Sequence, residues 1–241
     1  MDIKKIHFYA DGLCLNGTLH IPKIIAKTGK TPVVIGSHGL LSDGGSPKQK
    51  VLAEKLDQFG IAFFRFDHRG RGKSEGRFSE VTTFEGRLND MAAAISTVKA
   101  FPGINGPLGL FGSSMGGAVC LGIANRFDIK AIVTLAAPVR LSAIRIPAEI
   151  DKDPLLMGMN PEQMAFDVSN ELKTIKNIMV FHGDADEVVS FSNAEEIYEK
   201  ACFPKELVRF EKGDHAISNP DFQKQFTNKA VKWLSSHLSG I

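Results

Sequence analysis

The sequence predicts an α/β fold, a mostly parallel twisted sheet of about eight strands with helices on both faces. Two observations carry this. Short apolar runs alternate with longer segments whose apolar residues recur at helical spacing, the rhythm of repeated strand–helix units. The chain also opens with two alternating segments joined by Asp11-Gly12, a hairpin turn that places an antiparallel ribbon ahead of the parallel part.

The hairpin strands are expected over Ile3–Tyr9 and Leu13–Ile21, followed by a polar, Lys-rich connection at Lys23–Lys30. Pro32–Ser37 is a short apolar strand. After a Gly/Ser-rich loop, Gln49–Phe59 is a helix with Val51, Leu52, Leu56 and Phe59 at helical spacing, closed by Gly60. Ile61–Phe66 is a strand and Phe84–Phe101 a helix with Leu88, Met91, Ala92, Ile95 and Val98 on one face. Pro107–Phe111 is a strand, Met115–Arg126 a helix rich in small residues, and Ile129–Leu135 a strand. Strands at Ile178–Phe181 and Leu207–Phe210 flank a helix near Ala194–Ala201, and Pro220–Leu238 is the last helix. Residues 137–177 break the rhythm. The segment is long for a connection within a compact domain, so 138–176 is expected to be a lid or cap inserted into one domain spanning 1–241.

Composition narrows the function. The 241 residues carry 29 Lys+Arg and 27 Asp+Glu, and no basic run resembles a nucleic-acid arm, so no nucleic-acid partner is expected. Cys14, Cys120 and Cys202 are far apart and odd in number, which argues against a disulfide framework or a structural zinc site. The N-terminus lacks an apolar core of signal-peptide length, and no run of about 18 apolar residues occurs. A soluble, cytoplasmic protein with no membrane partner is therefore expected. Phe outnumbers Tyr and Trp, 17 against 2 and 1, which favours dry core packing over a polar stacking surface.

Gly112-Ser113-Ser114-Met115-Gly116 matches G-x-S-x-G between a strand and a small-residue helix. A chain reversing that sharply strains the residue at its tip, and side chains two positions away would collide, hence the glycines. Ser114 at a helix N-terminus is placed as a nucleophile, with backbone N–H groups nearby for developing negative charge. His215, in the loop before the last helix, is placed to take the serine proton. Of the other six histidines, His7 and His20 sit in the hairpin and His237 on the last helix, while His68 and His182 follow strands at the site's edge. Asp184 and Asp186 both follow the strand at Ile178–Phe181 and compete to orient the base; Asp214 adjoins His215, and neighbouring side chains diverge. The order Ser…Asp…His, with all three after strands, fits a crevice at the strands' carboxyl edge. Ser37-His38-Gly39-Leu40 also follows a strand, so Leu40 N–H and Met115 N–H are the expected oxyanion donors. Arg69-Gly70-Arg71-Gly72-Lys73-Ser74 ends like a phosphate-binding loop, but that motif needs glycine at position 67, where Asp67 stands.

Together these residues resemble the α/β-hydrolase superfamily over nearly the whole chain. Asp67 to Ser74 is similar to the D-x-R-G-x-G-x-S loop of such hydrolases. Gly112–Gly117 is similar to G-x-S-x-G-G of bacterial esterases and prolyl-oligopeptidase relatives, and His182 to Val189 to H-G-x-x-D-x-x-V. In that last motif the acid aligns with Asp186. Size and motif wording resemble small cinnamoyl- and feruloyl-esterase-like members most. Ser114 stands where dienelactone hydrolases carry cysteine and haloalkane dehalogenases and epoxide hydrolases carry aspartate.

The resemblance implies a serine hydrolase without cofactor or metal. It would cleave carboxylic esters of small to medium acyl or aromatic acids through Ser114, His215 and Asp186 and an acyl-enzyme. Thioester cleavage, acyl transfer or peptide cleavage by the same triad is the alternative, as is a hydrolase fold that only binds its ligand. Ile144, Ile146, Ile150, Leu155, Leu156, Met157, Met159, Met164 and Phe166 supply the insert's apolar side chains, most of them for packing. His38, Met157 and Met159 are the candidates for substrate contact, the methionines because a flexible thioether adapts to varied acyl groups.

Overall fold

A computed structural model describes residues 1–23, 30–145, 153–159 and 161–238. Among these, eight strands form one sheet in the order β1-β2-β4-β3-β5-β6-β7-β8. The strands are β1 (Asp2–Ala10), β2 (Leu13–Ile21), β3 (Val33–Ser37), β4 (Ala62–Phe66), β5 (Leu108–Ser113), β6 (Ile129–Leu135), β7 (Ile178–Gly183) and β8 (Lys205–Phe210). The hairpin pairs antiparallel through β2 with β4, and every pairing from β4 through to β8 is parallel.

Period-two alternation splits the apolar side chains between two cores. Ile35, Phe64, Phe66 and Leu110 face one side with α3 (Phe84–Lys99) and α4 (Met115–Ile123). Val34, Phe63, Phe111, Phe181 and Phe210 face the other with α1 (Pro47–Asp57) and Phe226 and Leu234 of α6 (Pro220–Leu238). The surplus phenylalanines are thus core: Phe63, Phe64, Phe66, Phe111, Phe181, Phe210 and Phe226 are all at most 1 % exposed. Each contributes about 1.5–3 kcal/mol of transfer free energy. Phe59 and Phe203 are the exceptions, largely solvent-exposed.

Boundaries moved where capping or side-chain bonds overrode periodicity. α1 starts at Pro47 because Ser46 caps it and proline suits a first helical turn. The helix expected to reach Arg126 stops at Ile123 and tightens into a 3₁₀ turn, Ala124–Arg126. Two further helices are α2 (Phe78–Val81), too short to show a period, and α5 (Ser192–Lys200). Most of the Lys-rich connection, 24–29, lies outside the described residues, as do Ile146 and Ile150 of the expected insert. The described part of 138–176 consists of short 3₁₀ turns, at Leu141–Ala143, Pro161–Met164 and Glu171–Thr174. A bridge from Arg140 to Asp167 joins two parts of the segment, and one from Ile144 to Val189 ties it to the body. No helix of the described residues is long and apolar enough to cross a membrane.

The strand order places the site. From β3 the chain goes to β4 on one side, then returns to place β5 on the other. A crevice therefore opens at the carboxyl ends of β3 and β5. There Ser37 pairs with Gly112, so the loop after β3 and the turn after β5 leave side by side. Two strands along, β7 and β8 end level, with Gly183 opposite Phe210.

Candidate active site

Ser114 stands between β5 and α4 with φ 53° and ψ −125°, a strained conformation for a residue with a side chain. Close packing enforces it. A Cβ on Gly112 would collide with the backbone of Gly116, and one on Gly116 with the carbonyls of Ser37 and His38. Ser114 N–H is tied to Leu135 C=O at 2.8 Å, and its own carbonyl accepts the N–H groups of Gly117 and Ala118.

His215 Nε2 lies 3.1 Å from Ser114 Oγ, and its Nδ1 lies 2.8 and 3.0 Å from the two oxygens of Asp186. A carboxylate opposite Nδ1 keeps the proton there, so Nε2 presents its lone pair to the serine hydroxyl. The two loops meet because Gly183 leaves no room for a side chain against Gly213. Glu187 Oε2 accepts the His215 N–H at 3.2 Å and holds that residue's backbone as well.

Geometry decides between the competing acids. Asp184 is turned away, accepting Arg209 Nε–H at 2.7 Å and the Lys212 N–H. Asp214 accepts the N–H and the hydroxyl of Ser218. Asp186 has a fully buried side chain and accepts the N–H groups of Val188 and Val189 at 2.9 and 2.7 Å. Burial alone would raise its pKa. Hydrogen bonds from His182 and His215, then the His215 charge and the Val189 N–H, outweigh that and hold the carboxyl well below the ordinary carboxylate range.

His182 was legible only as an edge residue. Its ring is fully buried, with Nε2 3.1 Å from Asp186 Oδ2 and 2.8 Å from Val189 C=O. The i,i+4 spacing of histidine and aspartate in His182-Gly183-Asp184-Ala185-Asp186 was the available signal.

The loop after β3 borders Ser114: a Cβ built on Gly39 would sit 3.5 Å from Ser114 Cβ. Neither Leu40 N–H nor Met115 N–H donates a hydrogen bond among the described residues. Arginines hold the loop's carbonyls from behind. Arg71 donates to Leu41 and Ser42 at 2.7 and 2.9 Å, Arg65 to Gly44 at 2.8 Å, and Arg87 to His38 at 2.5 Å. The phosphate-loop look-alike wraps its own carboxylate: Asp67 accepts the N–H groups of Gly44 and Lys73, each at 2.8 Å.

The substrate-contact candidates separate. His38 is 1 % exposed and both ring nitrogens are engaged within the protein, so it lies beneath the site rather than on its wall. Met157 projects into solvent at 71 % exposed. Met159 is half-buried beside the core cluster that Leu40 and Ile144 also join. No group of three His, Cys, Asp or Glu side chains among the described residues is arranged to hold a metal ion.

Residues 29–159, more than half of the chain, match the family described as serine aminopeptidase, S33. The chain belongs to that family. Membership puts the protein among the serine hydrolases of α/β-hydrolase fold. Its sequence is 29 % identical to YfhR of Escherichia coli K12 over 191 residues, 76 % of this chain and 62 % of that protein's length. It is 25 % identical to the mouse mitochondrial palmitoyl-protein thioesterase ABHD10 over 215 residues, 78 % of this chain and 70 % of the other. In structure the hydrolase is similar to Est1E of Butyrivibrio proteoclasticus, solved with ferulic acid. The TM-score is 0.77 at 22 % identity, covering 96 % of this chain and 98 % of that one.

Proposed function

We propose that this hydrolase cleaves carboxylic esters of small to medium acyl or aromatic acids through a Ser114–His215–Asp186 triad. The observation that carries the reading is the continuous run Ser114 Oγ–His215 Nε2 and Nδ1–Asp186.

Ser114 Oγ attacks the ester carbonyl carbon while His215 Nε2 takes its proton. The carbonyl oxygen becomes an oxyanion held by Leu40 N–H and Met115 N–H. Collapse expels the alcohol, protonated by His215, and leaves acyl-Ser114. Water, deprotonated by His215, attacks the acyl carbon and releases the acid. Asp186 keeps the imidazole in the right tautomer and stabilises its charged form without taking the proton.

Leu40, Ile144 and Met159, half-buried and apolar, suit an uncharged acyl group. A thioester substrate is the second reading, favoured by the likeness to the mouse thioesterase. Hydrolysis of matched p-nitrophenyl esters and acyl thioesters of increasing chain length tests both. Turnover is expected to fall about 10³-fold or more in Ser114→Ala. Turnover retained in that variant overturns the assignment.

A further inference from the structure

We propose that Asp90, buried in α3, is a positioning residue for the reaction, acting through His68 and His38 on the oxyanion donor Leu40 N–H. This rests on the hydrolase reading above.

The path is a run of hydrogen bonds whose directions are fixed one by one. Asp90 Oδ2 lies 3.2 Å from His68 Nδ1 and accepts the Arg69 N–H at 2.9 Å, while Oδ1 accepts Arg69 Nε–H at 2.9 Å. One carboxylate therefore pins both the ring of His68 and the backbone of the next residue. With Nδ1–H given to Asp90, His68 Nε2 is an acceptor, and Ser37 Oγ–H donates to it at 2.9 Å. The His68 N–H donates to His38 Nε2 at 3.0 Å. That bond leaves the proton of His38 on Nδ1, which donates to Gly39 C=O at 2.7 Å.

The last step is peptide geometry. Across a trans peptide the C=O and the following N–H point in opposite directions. Anchoring Gly39 C=O on His38 therefore turns Leu40 N–H the other way, and the Gly39 backbone lies against Ser114. Without the His68 N–H, only the Gly39 carbonyl is left to hold the His38 tautomer. A lone pair on Nδ1 facing Gly39 C=O would repel it and leave the peptide held by the Ser42 N–H alone, at 3.2 Å. The rings of His38 and His68 and the carboxylate of Asp90 are all at most 1 % exposed, so water cannot replace a missing partner. Burying this ionic group is costly, and a simple core would be apolar at that position. Toward the surface it continues through the Arg69–Asp11 pair, with Asp11 half-exposed.

The test compares Asp90→Asn, His38→Leu and His38→Asn with the parent protein. The readouts are kcat and KM for an ester, affinity for a trifluoromethyl ketone that forms a tetrahedral oxyanion adduct, and thermal unfolding. Asn places its amide nitrogen where the imidazole Nδ1 sits, so His38→Asn keeps the donor to Gly39. Loss of one oxyanion donor costs about 10²–10³ in kcat, so misaiming one is expected to cost about tenfold to a hundredfold. Asp90→Asn and His38→Leu should lose that in kcat and, by the same factor, in ketone affinity, with KM within about twofold. His38→Asn should recover most of the loss. Unchanged kcat and ketone affinity in folded Asp90→Asn, whatever its melting temperature, overturns the proposal. Should Asp90→Asn not fold, equal losses in His38→Leu and His38→Asn overturn it instead. Ser114→Ala, run alongside, separates the two claims: if it keeps turnover, the hydrolase reading itself has failed.

Discussion

Two Ser–His–Asp chains run through this molecule, in the same order and at almost the same distances. In one, Ser114 Oγ, His215 and Asp186 are spaced at 3.1 and 2.8 Å; in the other, Ser37 Oγ, His68 and Asp90 are spaced at 2.9 and 3.2 Å. What separates them is everything around the hydroxyl. Ser114 sits at a strained tip, and His215 is 21 % exposed. Ser37 is the last residue of a central strand, and its whole set is sealed from solvent. Hydrogen-bond order alone therefore does not make a catalytic site. In the reading proposed above, access and a place for the oxyanion do, and the sealed set holds the loop that would provide that place.

The largest contrast should come from the acids. Asp186→Asn is expected to lower kcat about 10³–10⁴-fold by favouring the wrong tautomer of His215, with folding intact. Steady-state kinetics on a chromogenic ester checks this, and a loss no larger than that of Asp90→Asn would erase the distinction between the two sets.

A smaller effect is expected at His182. It reaches the reaction only through Asp186, so His182→Ala should cost about tenfold in kcat, read from the same assay, together with lower stability in urea.

Acidification should act on the sealed set first. Burial, then Arg87, holds the pKa of His38 and of His68 well below the ordinary 6.5; burial, then Arg65, pushes His20 down to about 4. These rings stay neutral in the fold but protonate in the unfolded chain near 6.5. Stability is therefore full above that pH and is lost progressively as pH falls below it, toward the lower folded values. Urea midpoints between pH 7.5 and 5 should fall accordingly, and a flat profile would contradict the neutral assignment of these rings. Asp186, held low, adds a separate loss only as pH falls through the ordinary carboxylate range.

The smallest effect is expected from Ser37→Ala. It leaves His68 Nε2 buried without its donor, at a cost of about 1–3 kcal/mol in unfolding free energy. A stabilised variant would contradict the hydrogen-bond directions assigned here.

How legible each region was follows from the range of its interactions. Ser114, His215 and the strands around them could be read because glycines at fixed offsets and strand–turn–helix order are local signals. The choice of Asp186 over Asp184 was not local. It depends on Arg209 and Lys212, distant in sequence, drawing Asp184 away. Asp90 and Arg87 were invisible for a related reason. On α3 both are fully buried, and only the structure shows their partners: Asp90 holds His68 and Arg69 after β4, and Arg87 holds the His38 carbonyl after β3. Periodicity could not find α2 either, since four residues make barely one turn. His38 was misplaced because a residue number next to an oxyanion loop does not say which way its ring points.

The most direct test of the central claim is to treat the full chain with a fluorophosphonate probe and locate the adduct by peptide mass spectrometry. One phosphonyl group per chain is expected, on Ser114, absent from Ser114→Ala and slowed in Asp186→Asn. No adduct on the parent protein, or an adduct on Ser37, would contradict the account.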